Sequence, residues 1–83
     1  MSWNYRVLRR LSENSGGITT AEYSVYEVYY DDAGVPTMCT DDPAFPSGST
    51  PEELLEDAKH YAAAFNMPIL DWHAFGSPTG DVK

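Results

Sequence analysis

The chain has 83 residues, enough for one domain. A domain of this size buries only about 60–65% of the surface its unfolded chain exposes, so its core is modest. Thirteen acids against five bases give a net charge of −8, which repels phosphate backbones, argues against direct binding of nucleic acid and complements a basic protein partner.

Hydrophobic residues make up 42% of the chain, with three Phe, two Trp and six Tyr, which excludes a wholly disordered polymer. The single cysteine, Cys39, cannot form an intrachain disulfide and suits a reducing, cytoplasmic setting. Met-Ser-Trp-Asn-Tyr-Arg lacks a long apolar run, so no signal peptide is expected. No segment approaches about 18 apolar residues, so no membrane span is expected.

Trp3–Leu11 reads as a strand. Trp3, Tyr5, Val7, Arg9 and Leu11 share its apolar face; Asn4, Arg6, Leu8 and Arg10 share a face expected to be wetter. Ser12–Thr20, with Gly16 and Gly17, is a turn-forming loop longer than the tightest hairpins use. Ala21–Asp31 is a second strand rich in tyrosine and valine. Its faces are Tyr23, Val25, Glu27 and Tyr29 against Ser24, Tyr26, Val28 and Tyr30. Glu27 favours the second set toward the core, since an unpaired buried carboxylate is costly. The alternative places Glu27 across from Arg6 or Arg10 as a cross-strand ion pair.

Asp31-Asp32-Ala33-Gly34 predicts a type I turn with Gly34 in the left-handed region, followed by a third strand, Val35–Thr40. Pro36, which lacks a donor, puts that strand at a sheet edge or turns its own backbone nitrogen outward. Asp41–Ser49 is a proline-stiffened loop in which Phe45 is expected to fold inward. Thr50 is a helix N-cap, Pro51 occupies the first helical position, and Glu53 is expected to close a capping box onto Thr50. Leu54, Leu55, Ala58, Tyr61, Ala62 and Phe65 recur at helical spacing and are expected to be buried. Asn66 and Pro68 end the helix. A short fourth strand is possible at 68–72, and residues 76–83 read as a flexible tail.

The chain is sparse in catalytic patterns. Asp31-Asp32 and Asp41-Asp42 could offer oxygen ligands to a hard cation, but a strand of roughly 20 Å at about 3.3 Å per residue separates them. They read as turn acids. His60 and His73 lack neighbouring Cys or His, so zinc is not indicated. Acids flank Cys39, which disfavours its thiolate. Glu52, Glu53, Glu56 and Asp57 crowd the helix N-terminus, where its dipole accounts for them. No phosphate loop, Gly-x-Ser-x-Gly or Gly-x-Gly-x-x-Gly occurs. No cofactor, metal site or catalytic residue is assigned. Four tyrosines on one strand cannot all enter a small core, and tyrosine is favoured at protein interfaces. Tyr23, Tyr29, Glu27, Arg6 and Arg10 therefore form the candidate interaction surface. The edge strand beginning at Val35 is a second route, by strand addition.

The run Asp-Asp-Pro-Ala-Phe-Pro-Ser-Gly-Ser-Thr-Pro-Glu-Glu-Leu-Leu-Glu-Asp-Ala-Lys, residues 41–59, resembles the strand-to-helix crossover of HicB-like antitoxin domains. Those also pass from an Asp-x-Pro loop through a Gly-x-Thr-x-Glu-Glu helix start, and the likeness covers about half the chain, from Tyr23 to Phe65. The resemblance implies a non-catalytic, partly formed RNase H-like sheet that binds a small basic toxin RNase. The DNA-binding segment common in HicB proteins has no counterpart in this sequence, and the metal-binding acids of RNase H enzymes are not recognisable. The chain also resembles a group of short bacterial proteins that begin Ser-Trp-Asn-Tyr-Arg and carry a Glu-Val-Tyr-Tyr-Asp strand. That likeness implies no activity.

The expectation is an α+β domain over residues 1–75, a three-stranded antiparallel β-meander packed on one α-helix. Its expected role is a small acidic, cytoplasmic protein-binding module without catalytic activity, antitoxin-like or inhibitor-like. The alternatives are a structural domain that self-associates through a sheet edge and, last, a small metal-dependent enzyme.

Overall fold

The computed structural model describes residues 2–75. The expected tail at 76–83 lies outside them. The elements are β1 (Ser2–Glu13), β2 (Thr19–Tyr30), β3 (Pro36–Cys39), α1 (Pro51–Ala63), a 3-10 turn (Ala64–Asn66), β4 (Leu70–Asp71) and a 3-10 segment (Trp72–Phe75). The sheet order is β3-β2-β1-β4. The first three strands form the expected antiparallel meander, and β4 is a two-residue strand parallel to β1.

Both hairpins close by the same chemistry. The Asn14 carbonyl accepts from the Gly17 N–H, and its side-chain oxygen accepts from the N–H groups of Gly16 and Ile18. Asp31 does the same for Gly34, Ala33 and Val35. Gly17 and Gly34 each sit at φ 80°, a left-handed conformation that a side chain would strain. Because Asn14 supplies these bonds, the first loop is tighter than its sequence suggests, and the strands run to Glu13 and resume at Thr19.

The register places Tyr5 opposite Glu27, Val7 opposite Val25 and Arg9 opposite Tyr23, so these side chains share the helix face of the sheet. Tyr5, Val7, Val25 and Ala64 are buried there, with Ala44 and Tyr61 packed beside them. The opposite face, expected to be the wetter one, is covered too. Leu8, Tyr26, Val28 and Cys39 form a second core under Leu70, Trp72 and Phe75, because the chain crosses the β1 edge after the helix and lies down on the far side.

The helix begins as its sequence dictates. Thr50 Oγ1 accepts from the Glu53 N–H at 3.1 Å, and Pro51 occupies the first turn. The reciprocal bond differs from expectation: the Glu53 carboxylate accepts from the N–H of Ser49, one residue before the cap. The larger correction is rotational. No residue of α1 is fully buried; Leu54 is 44% exposed, Leu55 60% and Phe65 65%, and Ala62 is exposed as well. The side turned to the sheet is that of Asp57, Tyr61 and Ala64, which at 3.6 residues per turn lies roughly 90° from the centre of the apolar stripe. The cause is polar. Asp57 Oδ2 accepts from the Tyr5 hydroxyl at 2.8 Å and from the Ser47 N–H at 2.9 Å, which fixes this side of the helix against β1 and the preceding loop.

Phe45 also departs from expectation and is 74% exposed. The N–H of Ala44 donates to the Val25 carbonyl at 2.8 Å, so the loop runs along β2 as an extended segment. Ala44 packs on the core, and in an extended chain its neighbour Phe45 points away.

Candidate interaction surface

The five residues singled out in the sequence fall into two groups on opposite faces. Tyr23, Glu27 and Tyr29 share the helix face; Arg6 and Arg10 share the other. The considered ion pair between Glu27 and an arginine therefore does not form. Glu27, half-buried, accepts a hydrogen bond from the Tyr29 hydroxyl, and this partner is why it can lie on the helix side. The other set of β2 residues does face a core, with Tyr26 and Val28 buried, but Val25 beside Glu27 is buried as well, so both faces are packed.

Arg6 is a structural group here. It is 9% exposed, and its guanidinium donates to the Tyr30 hydroxyl at 2.9 Å and to the Pro68 carbonyl at 2.7 Å. Tyr30 in turn donates to Asn4 Oδ1. Arg6 Nε and Trp72 Nε1 are buried donors without a partner among the described residues. Arg10 donates to the Asp41 carbonyl at 2.7 Å and lies 3.9 Å over the Trp72 ring, a cation–π contact. Neither arginine is displayed to a partner; both fasten the C-terminal segment or the loop to the sheet.

Of the five, Tyr23 remains on open surface, 57% exposed. It lines an apolar groove of about 310 Å³ with Val7, Val25, Pro43, Phe45, Tyr61 and Phe65. The groove exists because the rotated helix turns Phe65 toward its rim while Tyr61 reaches the sheet. Edge-on aromatic contacts continue from Phe65 through Tyr61 to Tyr5 and Trp3. Leu54 and Leu55 add further exposed apolar surface on α1. Sequence periodicity assigned Phe65 and Leu55 to the core and missed the groove. The one available signal was the Leu54-Leu55 doublet, whose members are about 100° apart on a helix and cannot both face one sheet centrally.

The groove adjoins a projecting ribbon. Every residue from 11 to 23 is exposed, so the distal hairpin stands clear of the body. The β3 edge, by contrast, is poorly suited to strand addition. It has four residues, starts with Pro36 and is interrupted by a register shift opposite Tyr29 and Tyr30.

Among the described residues, no group of three or more His, Cys, Asp or Glu side chains is placed to hold an ion. Cys39 is 1% exposed, and burial pushes its thiol up to about 11, with Asp41 adding to the rise and Arg10 opposing it. His73 Nε2 accepts from the Leu11 N–H at 3.0 Å, and His60 faces Glu56 on the exposed side of α1. No described helix is long and apolar enough to cross a membrane.

The titrating groups give a pH profile with a defined sign. Burial, reinforced by Asp57, raises Tyr5 from 10.0 to about 12. The bond to Glu27, with burial, raises Tyr29 to about 12. Cys39 rises from 9.0 to about 11. The folded state keeps these protons while the unfolded chain releases them, so stability is full below about pH 9 and falls as pH rises toward 12. Asp57 shifts the other way, lowered first by the Ser47 N–H and then by the Tyr5 hydroxyl. Its contribution is present above the ordinary carboxylate range and is lost on acidification. Urea unfolding across pH should show both falls, and Tyr5→Phe should make the alkaline one shallower.

Comparison with protein families finds no model that matches the chain, and comparisons with curated proteins and with solved structures find no match either.

Proposed function

We propose that this chain is a small, non-catalytic, cytoplasmic binding module that seats a basic protein partner on its helix side and does not bind nucleic acid directly. The observation that carries this reading is the apolar groove of Tyr23, Phe45, Tyr61 and Phe65, left open on a protein with a net charge of −8. Aromatic side chains around a concave surface supply anchoring area, and the excess of acid favours approach of a cationic protein over a nucleic acid. The likeness of residues 41–59 to the HicB crossover supports an antitoxin-like version in which the partner is a small basic toxin. The test is affinity capture from the native host with the unaltered chain and with the double variant Phe45→Ser, Phe65→Ser. One basic protein, retained by the first, lost by the variant and released at high salt, supports the reading. Equal retention by both chains contradicts it.

A second reading, self-association through a sheet edge, draws on the exposed ribbon of β1 and β2. Molecular mass measured over a concentration series decides it: a chain that stays monomeric into the millimolar range does not use that edge for itself.

A further inference from the structure

We infer that the partner docks as an added β-strand along the outer edge of β2 from Thr19 to Tyr23, with one apolar side chain seated in the adjoining groove. This rests on the binding-module reading above and specifies its geometry.

The backbone of β2 carries the inference. Its outer edge is covered from Tyr30 to Val25: β3 pairs with it as far as Val28, the Thr40 N–H donates to the Glu27 carbonyl at 3.0 Å, and the Ala44 N–H donates to the Val25 carbonyl at 2.8 Å. Alternate residues of a strand aim their N–H and C=O groups at the same edge. The direction set by Glu27 and Val25 is therefore shared by Tyr23, Ala21 and Thr19, and no described group meets their backbone atoms there. The other edge of the ribbon is treated differently. Leu8 and Arg9 pair with Leu70 and Asp71, and His73 accepts from the Leu11 N–H. Among the described residues, one edge is thus capped out to Leu11 and the opposite edge is bare.

That bare edge also lacks the usual deterrents to strand pairing. Thr-Thr-Ala-Glu-Tyr holds no proline and no lysine, and its register with β1 runs without a bulge. Its inner end opens onto the groove, whose lining includes Tyr23, Ser24 and Val25 beside Pro43 and Phe45. A strand laid along Thr19–Tyr23 would direct alternate side chains to the helix face, where the nearest one meets this cavity. The occupant is an extended basic segment. A second copy of this chain would bring another eight negative charges, whereas lysine or arginine alternating with apolar residues would meet Glu22 on one face of the ribbon and Asp41 and Asp42 by the loop.

The experiment uses a panel of seven-residue peptides that alternate lysine with an apolar residue, the central position being Leu, Ile, Val, Phe or Trp. Isotope-labelled 83-residue chain is followed by NMR and amide exchange. The expected result is binding by at least one peptide, slowed exchange at the Ala21 and Tyr23 amides, and shifts at Tyr61 and Phe65. N-methylation of the peptide's alternate amides should weaken binding about tenfold or more, and so should Ala21→Pro in the protein, which removes an outward N–H. Binding that shifts Phe65 but leaves Ala21 and Tyr23 exchanging freely overturns strand addition and leaves the groove reading standing. No binding by any peptide at millimolar concentration overturns the basic extended occupant. Concentration-dependent protection of the same amides without peptide makes a second copy the occupant and overturns it as well.

Discussion

Leu8→Ala is expected to destabilise the domain by about 2–5 kcal/mol, the range for a fully buried leucine whose site cannot collapse. Leu8 is 0% exposed and sits between Tyr26, Val28 and Cys39 on the face covered by Leu70 and Trp72. Its neighbours come from β2, β3 and the C-terminal segment, so the cavity has walls held by different elements and little freedom to close. Small domains have total stabilities of about 5 kcal/mol upward, so this single change can depopulate the folded state. Leu55→Ala is the matched comparison. Leu55 has the same side chain but is 60% exposed, and its replacement should cost less than about 1 kcal/mol. Urea titrations of the two variants check the pair, and equal losses would place the core on the wrong side of the sheet.

Gly48→Ala is expected to cost about 1–3 kcal/mol or somewhat more, through a clash that the structure cannot easily relieve. A Cβ at Gly48 would lie 2.5 Å from the Leu54 nitrogen and 2.7 Å from the Glu53 carbonyl carbon. These are helix backbone atoms, and that turn is fixed by the bonds of Thr50 and Glu53 and by Asp57 holding the Ser47 N–H. Relief would have to move the loop off the helix and break the last of these. The expected loss of Tm is about 4–8 °C per kcal/mol for a domain of this size. Ser47→Ala keeps the N–H that Asp57 uses and should stay within about 0.5 kcal/mol of the unaltered chain. An unchanged Tm for Gly48→Ala would mean that the loop does not approach the helix this closely.

The elements governed by local chemistry were legible in the sequence. The Thr50 cap with Pro51, the Gly34 turn, the edge position of β3 and the meander itself all follow from residues adjacent in the chain. Facing was not legible, because it depends on contacts far apart in sequence. The bond between Tyr5 and Asp57 turns the helix away from its apolar stripe, and no periodicity along residues 50–66 contains it. The covered second face depends on Trp72 and Phe75, which pack there because the chain crosses the β1 edge. The exposure of Tyr23 was legible, because a strand with four tyrosines must expose some of them. Arg6 and Arg10 were misread as display residues because their partners, Tyr30, Pro68, Asp41 and Trp72, are at least 24 positions away. Phe45 was assigned inward as a lone phenylalanine between two prolines and Phe65 by its helical spacing, and both line the groove instead.

The central claim is that this apolar groove is a binding surface and not an unfinished core. Thermal unfolding of the double variant Phe45→Ser, Phe65→Ser tests it most directly. The two side chains are 74% and 65% exposed, so the account predicts a Tm within about 4 °C of the unaltered chain, a change of less than about 1 kcal/mol. A fall of about 10 °C or more would show that both rings carry folding energy, and the groove would then be part of the core.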